Sequence, residues 1–594
     1  MNIQSILLSL LFILLHNQMV WAQSKTNAQM FGPPLKEPLY ITSGFGEIRP
    51  NHFHSGLDLS TDGKSIEVYA AADGWVSRIK VSLRGYGKVI YLSHAQGFTT
   101  VYAHLSTFSD SLEAFVSSHQ MRDSTYEIEL FPDSTQFPVK KGQFIAWSGN
   151  TGNSSGPHLH YEVRDRYFEE TLHPFFFGYG PEDNVSPLLN SVYCIPKPGG
   201  GTVNGSSTMA AVPFAYNKQK KKTEQNSKTA LPKLSGWVGF GFNATDQLGK
   251  QAKRTGIYGM KLLVDSLIIF HSRVDRFAFD DTRSVNVYMN YAHKLDRNEK
   301  VHQCMVPENN PVSIYKHHEN GGYFFFNEDR KYTITLIISD FSGNETRSDF
   351  LVQGSAPTTE SANLADKCSD CLEANAFRED TLEINNEARL ITQRWSLFGS
   401  QKIPMKKIKH GAFQIGSKYI PLNAAVTIEL SAAIIPADNV SKTVMLRSLG
   451  SENEFTMPEF KEGWFSVQTT KWGTFQLVTD TTAPKISLNT RSLPKPKQKG
   501  KKKSKVPAPK PQRIPMARGS IYFNISDSQV GIKTVKAYIN NKWILPVPEG
   551  KGLFRFDLGS DLPPGNHFLD IVAFDHCGNR ASFRQELENI NPAH

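Results

Sequence analysis

Short runs of β-branched and aromatic residues, broken by glycine-containing turns, recur along this chain and leave little room for helices. Val68 to Ser82, Lys88 to His94, Phe98 to His104 and Gln143 to Trp147 are such runs, and Arg84-Gly85-Tyr86-Gly87 is a turn between two of them. Runs of this kind read as antiparallel strands, because branched and aromatic side chains pack well on a pleated, half-buried surface. One stretch departs from the pattern. Asp110-Ser111-Leu112-Glu113 has capping-box spacing, which predicts a helix from there to about His119. Tyr126 to Phe131 then reads as a strand. The expected fold class is all-β, with an insertion at about 106–138.

At 594 residues the chain exceeds a single core, and roughly 150 residues per domain suggests about four units. The expected division begins with a signal peptide at 1–22, a β-rich unit at 23–195 and a Gly-, Ser- and Lys-rich linker at 196–231. A β module at 232–355, a linker with a CxxC at 356–387 and a second β module at 388–482 follow. A third module at 483–590 carries a Lys/Pro-rich insertion at 494–513. Units of about 100 residues suit β-sandwiches. The first and third modules read as diverged copies of one another. Phe242-Asn243-Ala244-Thr245-Asp246 matches Phe523-Asn524-Ile525-Ser526-Asp527. Ser339-Asp340-Phe341-Ser342-Gly343-Asn344 likewise matches Phe574-Asp575-His576-Cys577-Gly578-Asn579.

Ile6 to Leu15 form an apolar run too short to span a bilayer, and Val20-Trp21-Ala22 places small residues where a signal peptidase cleaves. Export is therefore expected, to the periplasm, the cell envelope or the medium, with no transmembrane segment left after cleavage. Five cysteines cannot all pair within one chain. Cys368 and Cys371 lack the second pair that a CxxC zinc site needs, so a local disulfide or inert thiols are expected. The net charge of +10 is concentrated: Arg491 to Arg513 holds eight lysines, two arginines and no acid. That tract offers almost nothing to bury and reads as a solvated loop. Its functional alternative is adhesion of Lys495–Lys510 to anionic envelope polymers. Nucleic acid is not an expected partner, since no recognition motif accompanies the tract.

Three segments carry chemistry: Phe53-His54-Ser55-Gly56-Leu57-Asp58, Val101-Tyr102-Ala103-His104-Leu105, and Gly156-Pro157-His158-Leu159-His160-Tyr161-Glu162. Imidazole and carboxylate are ligands that Zn²⁺ accepts, and a catalytic zinc keeps about three of them plus water. Residues two apart on a strand share a face, so His158 and His160 can look into one cavity. Gly56 argues against placing His54 and Asp58 on a helix. Each piece alone is weak, since an HxH on a strand is more often structural. Their joint presence in one β-rich segment is what counts.

These segments, in this order, resemble the lysostaphin/LytM-type zinc metalloendopeptidases, which carry HxGxD, then Tyr-x-His-Leu, then Gly-Pro-His-x-His-Phe/Tyr-Glu. The resemblance spans about Pro38 to Arg164 and includes Ala71-Ala72-Asp73-Gly74, Gly85-Tyr86-Gly87, Lys141-Gly142-Gln143 and Ser148-Gly149-Asn150-Thr151-Gly152. It implies an antiparallel LytM-type catalytic domain, followed here by immunoglobulin-like β-sandwich modules. It further implies one zinc ion bound by His54, Asp58 and His160, with His104 and His158 as the unliganded catalytic pair. Peptide crosslinks of peptidoglycan are the implied substrate. Lys88 stands where the family often has Asn, and the insertion at 106–138 lengthens a usually shorter connection and is expected to form one wall of the groove. Which of His104 and His158 is the general base is left open.

Neighbouring residues have blander expectations. His52 and His94 are expected at the solvent-exposed surface, and Tyr102 in aromatic packing. Arg49 is expected either to hold a substrate carboxylate or to pair with a local acid. Two other functions compete with the wall peptidase: a catalytically silent scaffold that binds the wall or activates an amidase, and a peptidase acting on extracellular proteins.

Overall fold

The computed structural model describes residues 30–589, except 37, 218–221, 227, 249–253, 358–367, 436, 490–513, 516–518, 559–561 and 564. The expected signal peptide and the Lys495–Lys510 tract therefore lie outside the described residues. Strands dominate throughout, as an all-β chain requires. No helix of the described residues is long and apolar enough to cross a membrane.

The N-terminal unit is built on one antiparallel sheet. Its strands run in the spatial order Ile41–Ser43, Leu57–Ser60, His158–Asp165, Phe98–Leu105, Lys88–Ser93, Gly74–Val81 and Ile128–Leu130. A second small sheet joins Glu67–Tyr69, Phe144–Trp147 and Thr107–Phe108. Leu57, Leu59, Val76, Ile79, Tyr102, Leu159 and Tyr161 form the core between them, each at most 1% exposed. Tyr102 packs against Tyr161 and its hydroxyl accepts from the Ala71 amide, the aromatic packing expected of it. The insertion forms a helix at Asp110–Asp123, longer than predicted. Glu113 accepts the Phe108 amide at 2.9 Å, two positions earlier than the Asp110 amide of the expected box, and pairs with Lys88 at 3.0 Å. The helix is thereby tied to the central sheet.

The stretch expected as a linker at 196–231 is largely strand. Leu188–Val203 runs antiparallel to Lys233–Gln247, and Gly201 lies opposite Gly236. A Cβ on Gly201 would come within 2.0 Å of the Trp237 carbonyl, and Gly236 has φ +70°. The glycines read as linker are there because two backbones approach too closely for side chains. The second linker is also shorter than expected, because Cys371–Ala374 and Asp380–Ile384 pair into the two sheets of the middle module. Cys368 and Cys371 form a disulfide, while Cys194, Cys304 and Cys577 are buried and free.

The first module is not a separate bead. Its Arg276–Phe277 strand pairs with Thr171–Leu172 and so extends the N-terminal sheet. Phe45, Ile48 and Phe53 of the N-terminal unit belong to the same buried cluster as Phe240, Phe277 and Tyr288 of the module. Phe45 stacks on Phe277 at 5.0 Å. The middle and third modules each comprise two sheets around their own cores, antiparallel except where Ile514–Pro515 runs parallel to Arg580–Asn589 in the third. A cleft of about 600 Å³ separates the third module from the N-terminal unit, lined by Arg84, Tyr126, Thr151, Lys533 and Phe554 among others.

Candidate metal centre

The strand register assembles the site. On the central strand His160 lies directly opposite Asp58 on one side and Ala103 on the other. Period-two alternation puts His158 on the same face as His160. His54 arrives from a turn whose backbone is pinned by His54 N–H to Glu47 O at 2.9 Å and Gly46 N–H to His54 O at 2.8 Å. Gly56 lets that turn lie against the central strand, since a Cβ there would come within 2.3 Å of the Tyr161 carbonyl.

Three ligand-type atoms meet here. His54 Nε2 is 3.0 Å from Asp58 Oδ1 and 3.1 Å from His160 Nδ1, and His160 Nδ1 is 3.0 Å from Asp58 Oδ1. The opposite ring nitrogens fix the tautomers. His54 Nδ1 faces the Gly44 carbonyl at 2.6 Å, and His160 Nε2 faces Glu162 Oε1 at 2.8 Å. Both partners are acceptors, so both of those nitrogens carry the hydrogen. The two remaining nitrogens then present lone pairs to each other and to a carboxylate oxygen. Such a pocket needs a positive charge at its centre. A proton supplies it when nothing else does: burial opposes charge on His160, yet Asp58 and Glu162 outweigh it and raise the ring to about 9. Asp58, although largely buried, is held well below the usual carboxylate range by the surrounding histidines. Two imidazoles and a carboxylate also match the donor set of a divalent metal such as zinc, and these three residues can hold a metal ion.

A supporting layer surrounds the ligand atoms. Glu162 is fully buried and accepts from Ser55 Oγ at 2.6 Å, from the Tyr86 hydroxyl, and from Arg164 Nε at 2.7 Å. Burial works against its charge, but Arg164, His160 and Ser55 more than compensate and hold it ionised. Tyr86 stacks on His160 at 5.4 Å. Arg49 pairs with Asp58 Oδ2 at 3.2 Å and hydrogen-bonds Ser43, so it does pair with a local acid. Tyr86, Glu162 and Arg164 lie within the segments that carry the resemblance, but the sequence reading assigns none of them a role. The period-two spacing of His160, Glu162 and Arg164 on one strand was the available signal.

His104 and His158 complete the site, with ring centroids 4.8 Å apart. His104 Nδ1 donates to the Thr151 carbonyl at 2.8 Å and His158 Nδ1 to the Gly156 carbonyl at 2.8 Å. Each therefore keeps a bare Nε2, and that of His158 lies 3.5 Å from Asp58 Oδ1. Burial, with the nearby charge of His160, pushes His104 down to about 4, so it is neutral at neutral pH. His104 also has φ +61°, a left-handed backbone that a side-chain-bearing residue adopts at some cost. His52 is exposed, as expected. His94 is not: it is fully buried, between the Asp73 carbonyl at 2.9 Å and Thr100 Oγ1 at 2.8 Å. Partners distant from the strand end enclose a ring that looked solvent-facing in sequence.

Residues 52–121 of this unit match Peptidase family M23, so the chain carries a domain of that family there. The match ends inside the inserted helix, short of His158 and His160. Among curated relatives, an uncharacterized metalloprotease of Haemophilus influenzae is 36% identical over 132 residues, 22% of this chain and 21% of its own length. The DD-carboxypeptidase/endopeptidase Mpg of Neisseria meningitidis serogroup B is 35% identical over 111 residues, 19% of this chain and 20% of its own. The murein hydrolase activator NlpD of Escherichia coli is 32% identical over 111 residues, 19% of this chain and 23% of its own. The chain thus spans only about a fifth of the length of these relatives.

Proposed function

We propose that this protein is an exported zinc metalloendopeptidase that cuts peptide crosslinks of peptidoglycan, with His54, Asp58 and His160 as the ligands of one zinc ion. The observation that carries the reading is the pocket of three converging acceptor atoms, flanked by two histidines whose free nitrogens face the same space. When bound, zinc supplies an activated water and polarises the scissile carbonyl. Proton handling falls to the chain. His104 and His158 each have Nδ1 committed to a backbone carbonyl, so Nε2 of one accepts the proton of the attacking water. The other donates to the developing oxyanion or to the leaving amine once protonated. Glu162, itself clamped by Arg164, keeps the His160 ring oriented.

The substrate rests on the peptidoglycan-directed names of the relatives and on the complete set of five side chains. A silent scaffold has no need of His104 and His158 beside an intact ligand set. Purified mature protein is to be incubated with zinc, then with purified peptidoglycan and with a protein substrate. Release of muropeptides cut within the peptide crosslink, lost in the His104→Ala and His158→Ala variants while zinc is kept, is the expected result. A zinc-loaded protein inert on peptidoglycan would leave the scaffold, and cleavage of protein alone would leave the third function.

A further inference from the structure

Away from the histidines, two groups of three aspartates repeat one arrangement. Asp183, Asp246 and Asp340 each bring a carboxylate oxygen to within 4.8 Å of the others, and so do Asp480, Asp527 and Asp575. Each trio draws on three places in its module. The first member lies in the turn before the opening strand, in Asp183-Asn184-Val185-Ser186-Pro187 and in Asp480-Thr481-Thr482-Ala483-Pro484. The second stands at or just after the end of the strands Lys233–Gln247 and Ser520–Ser526. The third opens the turn between the last two strands of the module.

The supporting bonds also repeat. Asp183 Oδ1 accepts the Val185 amide at 3.0 Å and Asp480 Oδ1 the Thr482 amide at 2.9 Å. The Asn344 amide nitrogens reach both oxygens of Asp340 at 2.8 and 2.7 Å, and those of Asn579 both oxygens of Asp575 at 2.8 and 2.8 Å. Asn344 Nδ2 also reaches the Asp183 carbonyl at 3.1 Å, and Asn579 Nδ2 the Asp480 carbonyl at 3.2 Å.

What these bonds leave over points to a ligand. Asp246 is 4% exposed and Asp480 is 0% exposed, yet Asp246 Oδ1 and Asp480 Oδ2 are closed off from solvent without a hydrogen-bond partner. Asp527 Oδ2 is in the same position. No lysine or arginine pairs with Asp246, Asp340, Asp480, Asp527 or Asp575 among the described residues. Lys442 comes near the second trio but donates to the Cys577 carbonyl and to Asn579 Oδ1. Clustered carboxylates whose bare oxygens are closed off from solvent, as at Asp246, Asp480 and Asp527, are unfavourable unless a cation joins them.

We infer that the two trios are calcium sites, one at each of two joints in the chain. An all-oxygen, all-carboxylate donor set without imidazole or thiolate selects a hard cation over zinc. Ligands carried on three separate segments suit the loose shell of roughly six to eight oxygens that calcium accepts better than the tight octahedron of magnesium. The first site ties the turn leaving the N-terminal unit to the first module. The second ties the turn leaving the middle module to the third, beside the Lys442 bridge from the middle module. Calcium then fixes the angle at which each module meets the unit before it, independently of the histidine centre.

The test uses the full mature protein, zinc-loaded and dialysed against calcium-free buffer, with calcium chloride as the probe. Calorimetry and metal analysis are expected to find two calcium ions per chain at millimolar calcium, with unchanged zinc. The thermal midpoint should rise by roughly 5 °C. Asp246→Asn and Asp575→Asn should each bind one calcium and the double variant none. Without calcium Asp246→Asn should melt no lower than the parent, because it relieves repulsion at an oxygen that accepts no hydrogen bond. No calcium uptake by the folded parent, or two ions retained in both variants, overturns the inference. So does a parent whose melting ignores calcium while Asp246→Asn melts lower, since the aspartates would then be structural hydrogen-bond acceptors only.

Discussion

The two halves of the histidine centre are built to different standards. His54, Asp58 and His160 are each held from behind: by the Gly44 carbonyl, by Arg49, and by Glu162 with its own Arg164. His104 and His158 are anchored only at Nδ1, each to a carbonyl and His158 also near Ser154 Oγ at 3.2 Å, with Nε2 turned inward. A position that must hold a cation benefits from rigid, well-oriented donors. One that must gain and lose a proton within each turnover benefits from a ring left otherwise uncommitted. Under the proposed roles, the difference separates binding from chemistry within a few ångströms.

Substitutions that erase one half and leave the other are the direct way to break this contrast. His160→Ala and Asp58→Ala should lose the zinc and reduce hydrolysis to background, read by metal analysis alongside muropeptide release. His104→Ala and His158→Ala should keep one zinc per chain while kcat falls about 10²–10⁴-fold. Equal zinc loss in both groups of variants would erase the distinction between the halves. Glu162→Gln tests the support alone: zinc affinity should fall about 10–100-fold in a chelator competition. The same change removes the buried counter-charge of Arg164 and leaves it only the exposed Glu169 at 3.5 Å, at a cost of up to about 3–5 kcal/mol in unfolding experiments.

The smallest expected effect sharpens the contrast with a third kind of histidine. His173 is buried among Phe45, Phe175 and Phe341, and burial pushes it down to about 3, with Asp275 a weaker opposing influence. A folded-state value below the ordinary one of about 6.5 means that the unfolded chain binds the proton first. The stability tied to this neutral ring is complete above pH ~6.5 and is lost as pH falls toward ~3, about 2 kcal/mol of it by pH 5. Urea unfolding at pH 7 and pH 5 should show that loss, and His173→Phe should shrink it.

The sequence made the convergence of the centre legible because two local features encode it: alternation along His158-Leu159-His160 and a glycine that lets His54 cross the central strand. The supporting layer was less visible. Glu162 and Arg164 are ordinary strand residues until Tyr86 and Ser55, distant in sequence, close around them. His94 was misplaced for the same reason, since its enclosing acceptors come from other segments. The glycines at 199–201 signal a linker by composition, and only the opposite strand shows that Gly201 permits close pairing. The aspartate repeat was visible at Asp246, Asp340, Asp527 and Asp575. Asp183 and Asp480 went unnoticed because a lone Asp four residues before a Pro is a commonplace turn.

The borrowed strand at Arg276–Phe277 has a consequence for how this protein can be cut or recombined. Separated at residue 195, the N-terminal unit would present the bare edge of Thr171–Leu172 and the rings of Phe45 and Phe53 to water, a sticky rim prone to self-association. The smallest portable piece therefore runs to about residue 355, and gene fusions or truncations that respect only the family boundary would split a single folding unit.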